Sequence, residues 1–468
     1  MPSRRFWAPQ AWVGDQWRAR VFFEIGVDGC FTAVAADVAV PPEGAEVLTG
    51  PVLPGIVNAH SHAFQRAFAG LAERRGAGGA AVETDDFWSW RDRMYAVALR
   101  ISPDDLRAIA AELFVELLQG GYTHVCEFHY LHRDPSGAPY ADPFAMATAL
   151  VDAAADAGIG LTLLPVLYER AGFAETSLRD DQRRFASTPD FVRAEMRAIA
   201  SARAPLVAAG VAIHSLRAAS PTSMAALLAA LGDEDVPIHV HVAEQTREVD
   251  DCVAATGARP VEWLCGHVCV DERFHLVHAT HVTAAEIMTV AAGGAGIVLC
   301  PSTEANLGDG VPDLPRWLGA GVPISLGSDS QVSRSVAAEL RLLEYAQRLV
   351  GRTRNVAAAP TAGFPSTAER LFAAVRTGGA RAAGSVRIGF EKGARADFFV
   401  LDGAAPGLAG VPRARTLDAY VFATDVPAIS DVFVAGRCVI AGNNHVRHTA
   451  IRTRFAATMA SLFGDEVP

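Results

Sequence analysis

A chain of 468 residues is long for one ordinary core but suits a barrel of roughly 200–400 residues with a small second domain. Half of it is hydrophobic, and its formal net charge of -11 argues against nucleic acid or an anionic membrane surface as partner. The N-terminal stretch leads into no apolar signal region and no run of about 18 apolar residues occurs, so a soluble, cytoplasmic protein is expected.

Residues 1–50 read as short β segments at 12–13, 20–25 and 31–34, separated by Gly and Asp. From residue 51 the pattern becomes apolar strand, loop and amphipathic helix in repetition. Strands are predicted to begin at Val52, His124, Gly160, Val211, Ile238, Phe274, Gly296 and Pro323, with helices over 103–118, 191–207 and 222–231 among them. Their unbroken apolarity suits strands buried on both faces. Eight such units predict an α/β protein whose residues 51–387 form a closed (β/α)8 TIM-like barrel, with chemistry at the C-terminal strand ends. Helices over 336–350 and 366–377 complete this part. Residues 388–402 and 431–440 return to a β pattern, so 1–50 and 388–468 are expected to join in a small β-sandwich domain.

The chain has one lysine, Lys392, so no lysine is available in the barrel for Schiff-base chemistry or a carbamylated metal bridge. Seven cysteines without close pairing read as reduced thiols. Cys265, His267 and Cys269 have helical spacing beside Trp263 and Leu264, which favours core packing over a metal knuckle.

Four strand ends carry the candidate chemistry. His60 and His62, two apart at the end of the first barrel strand, share one face because side chains alternate. His241 ends the Ile238 strand, with Glu244 opening the next loop and His239 deeper as a packed histidine. His278 ends the Phe274 strand, and Asp329 follows the small residues Gly327 and Ser328 at the last strand end. Imidazoles with a carboxylate at converging strand ends suit zinc, with iron or manganese as alternatives.

This order of motifs resembles the amidohydrolase superfamily, specifically its one-metal deaminase branch, over essentially the whole chain. Within that branch the stretches around His60–Arg66, Phe87–Arg91, Glu127–Tyr130 and His214–Arg217 resemble the formimidoylglutamate deiminases. The resemblance implies one Zn²⁺ per subunit on His60, His62, His241 and Asp329. It implies that Asp329 takes a proton from the attacking water, His278 holds the developing charge, and Glu244 carries a proton to the departing nitrogen. It also implies hydrolysis of N-formimino-L-glutamate to N-formyl-L-glutamate and ammonia in histidine degradation, and a homodimer.

That substrate is a small dicarboxylate, and its recognition calls for fixed positive donors some distance from the metal, ideally bidentate arginines. Arg91, after an aromatic cluster, and Arg217, three past His214 at the fourth strand end, fit this need. Gln65 and Tyr130 would add neutral hydrogen bonds, and His214 would help hold a carboxylate. The segment 168–187, with Arg179, Arg183 and Arg184, reads equally as a lid or as a solvated loop. The alternative is a ring deaminase of a purine, pterin or triazine using the same metal site; a ring-opening amide hydrolase with a single arginine is the third reading.

Overall fold

The computed structural model describes residues 3–74, 85–202, 204–384 and 386–464; of the expected terminal domain, residues 1, 2 and 465–468 lie outside them. Eight parallel strands form the barrel: β1 Ile56–Ser61, β2 Tyr122–His129, β3 Gly160–Leu167, β4 Val211–Ser215, β5 Ile238–Val242, β6 Phe274–His278, β7 Gly296–Leu299 and β8 Ile324–Leu326. Each pairs with its neighbours in sequence. β8 pairs with β1 through Leu326 and Asn58, and β3 with β4 through Ala212 and Val166, so the sheet is closed. Nearly every strand residue is buried, as expected of strands covered by helices outside and side chains inside.

The helices carry their own boundary signals. Helix Pro103–Gln119 starts on a Ser102–Asp105 capping box with Pro103 in its first turn, and buries Leu106, Ile109, Leu113, Phe114 and Leu117. The helix expected over 191–207 runs instead over Pro189–Ser201, capped by Thr188. Pro205 disfavours helix just before it, and Val207–Ala209 pairs with β3 as a short extra strand. Within Pro260–His267, Val261 and Leu264 are buried and His267 stacks on Trp263 at 4.2 Å. Cys265 is half-buried against the core and Cys269 is exposed, so core packing holds for Leu264 and Cys265 and not for Cys269.

Both chain ends enter one sheet, in the order Asn444–His445, Arg437–Ala441, Ile429–Val434, Phe398–Leu401, Val52–Pro54, Arg4–Val13, Gln16–Ile25 and Phe31–Ala35. One face packs Phe6, Phe23, Phe31, Phe390, Phe398 and Phe433 into a separate core. The strand expected from Val52 is thus divided at Gly55: its first part belongs to this sheet and its second is β1. A Cβ at Gly55 would meet Thr123 Oγ1 at 2.1 Å, so only glycine lets the chain pass so close to β2.

The C-terminal residues add a helix, His448–Phe463, which lies on Pro103–Gln119. Arg452 bonds Glu112 at 2.7 Å, and Asp156 receives Arg107, Arg447 and Arg454, each at 3.0 Å. Among the described residues no helix is long and apolar enough to cross a membrane. Burial opposes ionisation of Asp156, but hydrogen bonds from Arg107 and Arg454 outweigh it and hold its carboxyl below the usual range. A depressed native value stabilises fully above the ordinary Asp range and is lost as pH falls. Asp156→Asn is therefore expected to lower the unfolding free energy by about 1–2 kcal/mol at neutral pH. In denaturant titrations the gap from wild type should close as pH drops below about 4.

Candidate active site

At the C-terminal mouth of the barrel, β1 delivers His60 and His62 and β5 delivers His241. Their Nε2 atoms converge: His60 lies 3.1 Å from His62 and 3.0 Å from His241. Asp329 Oδ1, arriving after β8, stands 3.4 Å from His60 Nε2 and 3.3 Å from His62 Nε2. The Nδ1 atoms of His62 and His241 face the carbonyl oxygens of Phe128 at 3.0 Å and His214 at 2.8 Å. A carbonyl only accepts, so each Nδ1 donates its proton and each Nε2 is left as a lone pair. Burial pulls all three imidazoles below their ordinary values, His60 to about 3, which keeps them neutral. Neutral nitrogens and a carboxylate at this separation are a donor set that fits one divalent cation.

The backbone is bent to bring these groups together. Ala243, His278, Ala279, Asp329 and Gln331 all have positive φ, between 47° and 68°. Such left-handed conformations cost about 1–2 kcal/mol per residue and persist where surrounding contacts over-determine them. Here Asp329 N–H donates to His60 O at 3.0 Å, and Gln331 Nε2 donates to Asp329 O at 2.7 Å and Ser61 Oγ at 3.0 Å. Asn58 exchanges hydrogen bonds with Ser328, whose hydroxyl donates to Gln331. Gly327 permits the approach, since a Cβ there would meet His60 Cβ at 2.7 Å.

His278 stands between acids. Its Nε2 lies 3.6 Å from Glu244 and 3.7 Å from Asp329 Oδ2, and its Nδ1 lies 3.4 Å from Glu304. Burial disfavours the imidazolium, but Glu244, Glu304 and Asp329 outweigh it and raise His278 above its ordinary value. Burial and then the Asp329 charge push Glu244 upward, against His278 and Arg217. Glu248 fixes the turn, accepting the backbone N–H groups of Ala243 at 3.1 Å and Glu244 at 3.0 Å.

A pocket opens beside this cluster. The structure brings Gln65, Arg91, Tyr130, His214 and Arg217 into its lining together with His62, His241, Glu244, His278 and Asp329. Gln65 Nε2 donates to Tyr130 Oη at 3.2 Å, and Gln65 Oε1 has no partner. Arg91 comes from helix Phe87–Ala98, started by an Asp86 capping box, and its guanidinium lies 4.7 Å over Trp88 and 5.4 Å over Tyr95. Arg217 lies 5.4 Å over the same Trp88, and the Nε of each arginine is buried without a partner. Of segment 168–187, no residue lines the pocket. It is pinned from behind: buried Arg184 donates to Arg133 O and Ile101 O at 2.8 Å, while Arg179 and Arg183 pair with aspartates.

A family model described as the amidohydrolase family matches residues 52–439. The chain belongs to this family. It is 44% identical over 459 residues to a formimidoylglutamate deiminase of Pseudomonas aeruginosa, covering 97% of this chain and 98% of that one. A 5-methylthioadenosine/S-adenosylhomocysteine deaminase of Natronomonas pharaonis is 30% identical over 76% of this chain and 74% of its own. The crystal structure of an amidohydrolase from Brucella melitensis matches with a TM-score of 0.91 at 40% identity, covering 98% of this chain and 99% of that one. A zinc-bound adenosine deaminase from Xanthomonas campestris, at 22% identity and a TM-score of 0.78 over 98% of both chains, shares the fold. As an amidohydrolase with deiminase relatives, the chain is a hydrolase acting on C–N bonds.

Sequence reasoning missed several members of this amidohydrolase site. Phe87, Trp90, Met94, Tyr95 and Leu307 line the pocket, and Glu304 orients His278. Glu127 accepts Ala63 N–H at 2.6 Å, and burial raises its carboxyl to about 8. Phe87 and Trp90 stood in the Phe87–Arg91 stretch and Tyr95 one helical turn beyond it, but nothing in a Pro-Ser-Thr-Glu helix start marks Glu304. Glu304→Gln is expected to lower kcat about 10–100-fold, as loss of an orienting carboxylate does elsewhere. Metal content, measured alongside, should be unchanged; an unaltered kcat would mean that Glu304 merely caps Cys300.

Proposed function

We propose that the enzyme hydrolyses N-formimino-L-glutamate to N-formyl-L-glutamate and ammonia, as a step of histidine degradation, using one zinc ion held by His60, His62, His241 and Asp329. The observation that carries this reading is the pair of buried guanidiniums. Arg217 makes no ion pair among the described residues, and Arg91 has only Asp92 Oδ1 at 3.4 Å. Arg217 feels Glu244 and Glu248 only without direct contact, and Arg91 has one long pairing, so both guanidiniums keep buried donors free for anionic groups of a ligand. A dicarboxylate with its reactive carbon at the metal end answers both. The similarity to the Pseudomonas aeruginosa deiminase supports the same substrate. The aromatic lining would also suit a planar ring, the alternative reading, but a neutral purine leaves both arginines unanswered.

Bound zinc would supply Lewis-acid polarisation and make water acidic enough to react at neutral pH. The chain's residues do the rest. Asp329 Oδ2 accepts a proton from the attacking water, and His278, held by Glu304, donates a hydrogen bond to that water oxygen and orients it toward the amidine carbon. The water oxygen bonds to the amidine carbon, and the bond from that carbon to the terminal nitrogen breaks. Glu244, pushed up to about 7, retains a proton near neutrality and gives it to that nitrogen, which departs as ammonia. The cationic amidine already carries two protons on that nitrogen, so the one from Glu244 completes ammonia. As the C–N bond breaks, the vacated Glu244 carboxylate takes the proton of the added hydroxyl, and the carbon keeps its oxygen as a formyl group.

Ammonia release is the direct test, with N-formimino-L-glutamate, guanine and imidazolone propionate run in parallel on zinc-loaded protein. Turnover of the first alone is expected; turnover of guanine alone would overturn the dicarboxylate reading. Arg91→Met and Arg217→Met should each lower kcat/KM at least about 30-fold, equivalent to about 2 kcal/mol of lost charge-assisted binding. Glu244→Gln should lower kcat about 10²–10⁴-fold with zinc retained.

A further inference from the structure

Outside the pocket, a second group of metal-ligating side chains is packed into the protein interior. His129 ends β2, His132 follows in the next loop, and Glu195 projects from helix Pro189–Ser201. All three are at most 3% exposed. Glu195 Oε2 lies 3.3 Å from His132 Nδ1 and Oε1 lies 3.9 Å from His129 Nε2, and one donor atom from each residue falls within 4.8 Å of the others.

None of these facing atoms is satisfied. His129 Nε2, His132 Nδ1 and both carboxylate oxygens of Glu195 are buried without a hydrogen-bond partner. A buried carboxylate lacking any donor is among the least favourable arrangements in a protein interior. The neighbouring cation does not relieve it, because Arg184 is engaged by the oxygens of Arg133, Ile101 and Tyr140. His132 Nε2 faces the Val166 carbonyl at 3.1 Å, so its proton belongs there and a neutral ring turns the lone pair of Nδ1 toward Glu195. One shared proton between His132 and Glu195 would relieve that contact alone. A cation answers all four atoms. Two imidazoles and a carboxylate are a borderline donor set, suited to zinc, whose bonds of about 2.0–2.2 Å set donors roughly 3.3 Å apart.

We propose that His129, His132 and Glu195 form a second, structural metal site that takes a divalent transition metal such as zinc. It would clamp the chain after β2 to the helix after β3. Tyr130 lies between the two histidines, with its ring centroid 5.0 Å from that of His62 and its hydroxyl on Gln65, so the clamp would hold a pocket wall. The inference rests on this cluster and not on the choice of substrate.

Metal-free protein reloaded with Zn²⁺ and freed of excess should retain two zinc ions per chain by elemental analysis. Glu195→Gln and His129→Ala should each retain one, with a lowered Tm that added Zn²⁺ no longer raises as far as in wild type. His241→Ala should also retain one, now at the second site. A folded wild type that holds a single zinc would overturn the proposal and leave a proton-sharing pair. Two ions retained by both Glu195→Gln and His129→Ala would overturn it equally, by locating the second ion elsewhere.

Discussion

The Nε2 atoms of His62 and His241, each presenting a lone pair, stand 3.1 and 3.0 Å from His60 Nε2, a crowding that a cation among them relieves, and the barrel mouth is built to impose that arrangement. Carbonyl oxygens of Phe128 and His214 decide which ring nitrogen carries the proton. These oxygens come from β2 and β4, so the ligands on β1 and β5 are oriented by strands that supply no ligand. Closure of the barrel thus enters the chemistry directly. The strained residues at the ends of β5, β6 and β8 are the local expression of the same constraint; those after β8 are restrained by hydrogen bonds to the first strand, and Ala243 after β5 by Glu248.

The pocket divides its work between two ends. Near the metal ligands, Glu244, His278 and Asp329 form a line of groups that can exchange protons. Farther out, Arg91 and Arg217 flank the indole of Trp88, which offers its π face to both guanidiniums. Stacking keeps the planar forks oriented without using their donors. The charge needed to recognise anions is therefore held ready while the reacting end remains acidic in balance.

Much of this was legible in the sequence. Period-two alternation set His60 beside His62, and all eight barrel strands lie where uninterrupted apolar runs suggest, because those strands are buried on both sides. Arg217 stands out by lying just beyond a strand end. What stayed hidden depends on partners brought in from distant segments. Glu304, Glu127 and Glu195 resemble any surface carboxylate in sequence, and only the folded barrel buries them. Arg184, expected among lid or loop arginines, instead satisfies carbonyls in the interior. The C-terminal helix packs Ile451, Phe455, Met459, Leu462 and Phe463 on the core at helical spacing, a stripe that was legible in the sequence and that the β-domain expectation missed.

The division of one extended run at Gly55 has a consequence for how the protein is made. Val52–Pro54 pairs with Phe398–Leu401, and a few residues later the same run supplies His60 and His62. A nascent chain therefore exposes the strand bearing these histidines early, while the strand paired with its first part emerges some hundreds of residues later. Pairing across such a sequence separation is slow, because a long loop must close before any contact is gained. Assembly of the site is tied to synthesis of this later strand, so fragments that stop short of it would lack that pairing.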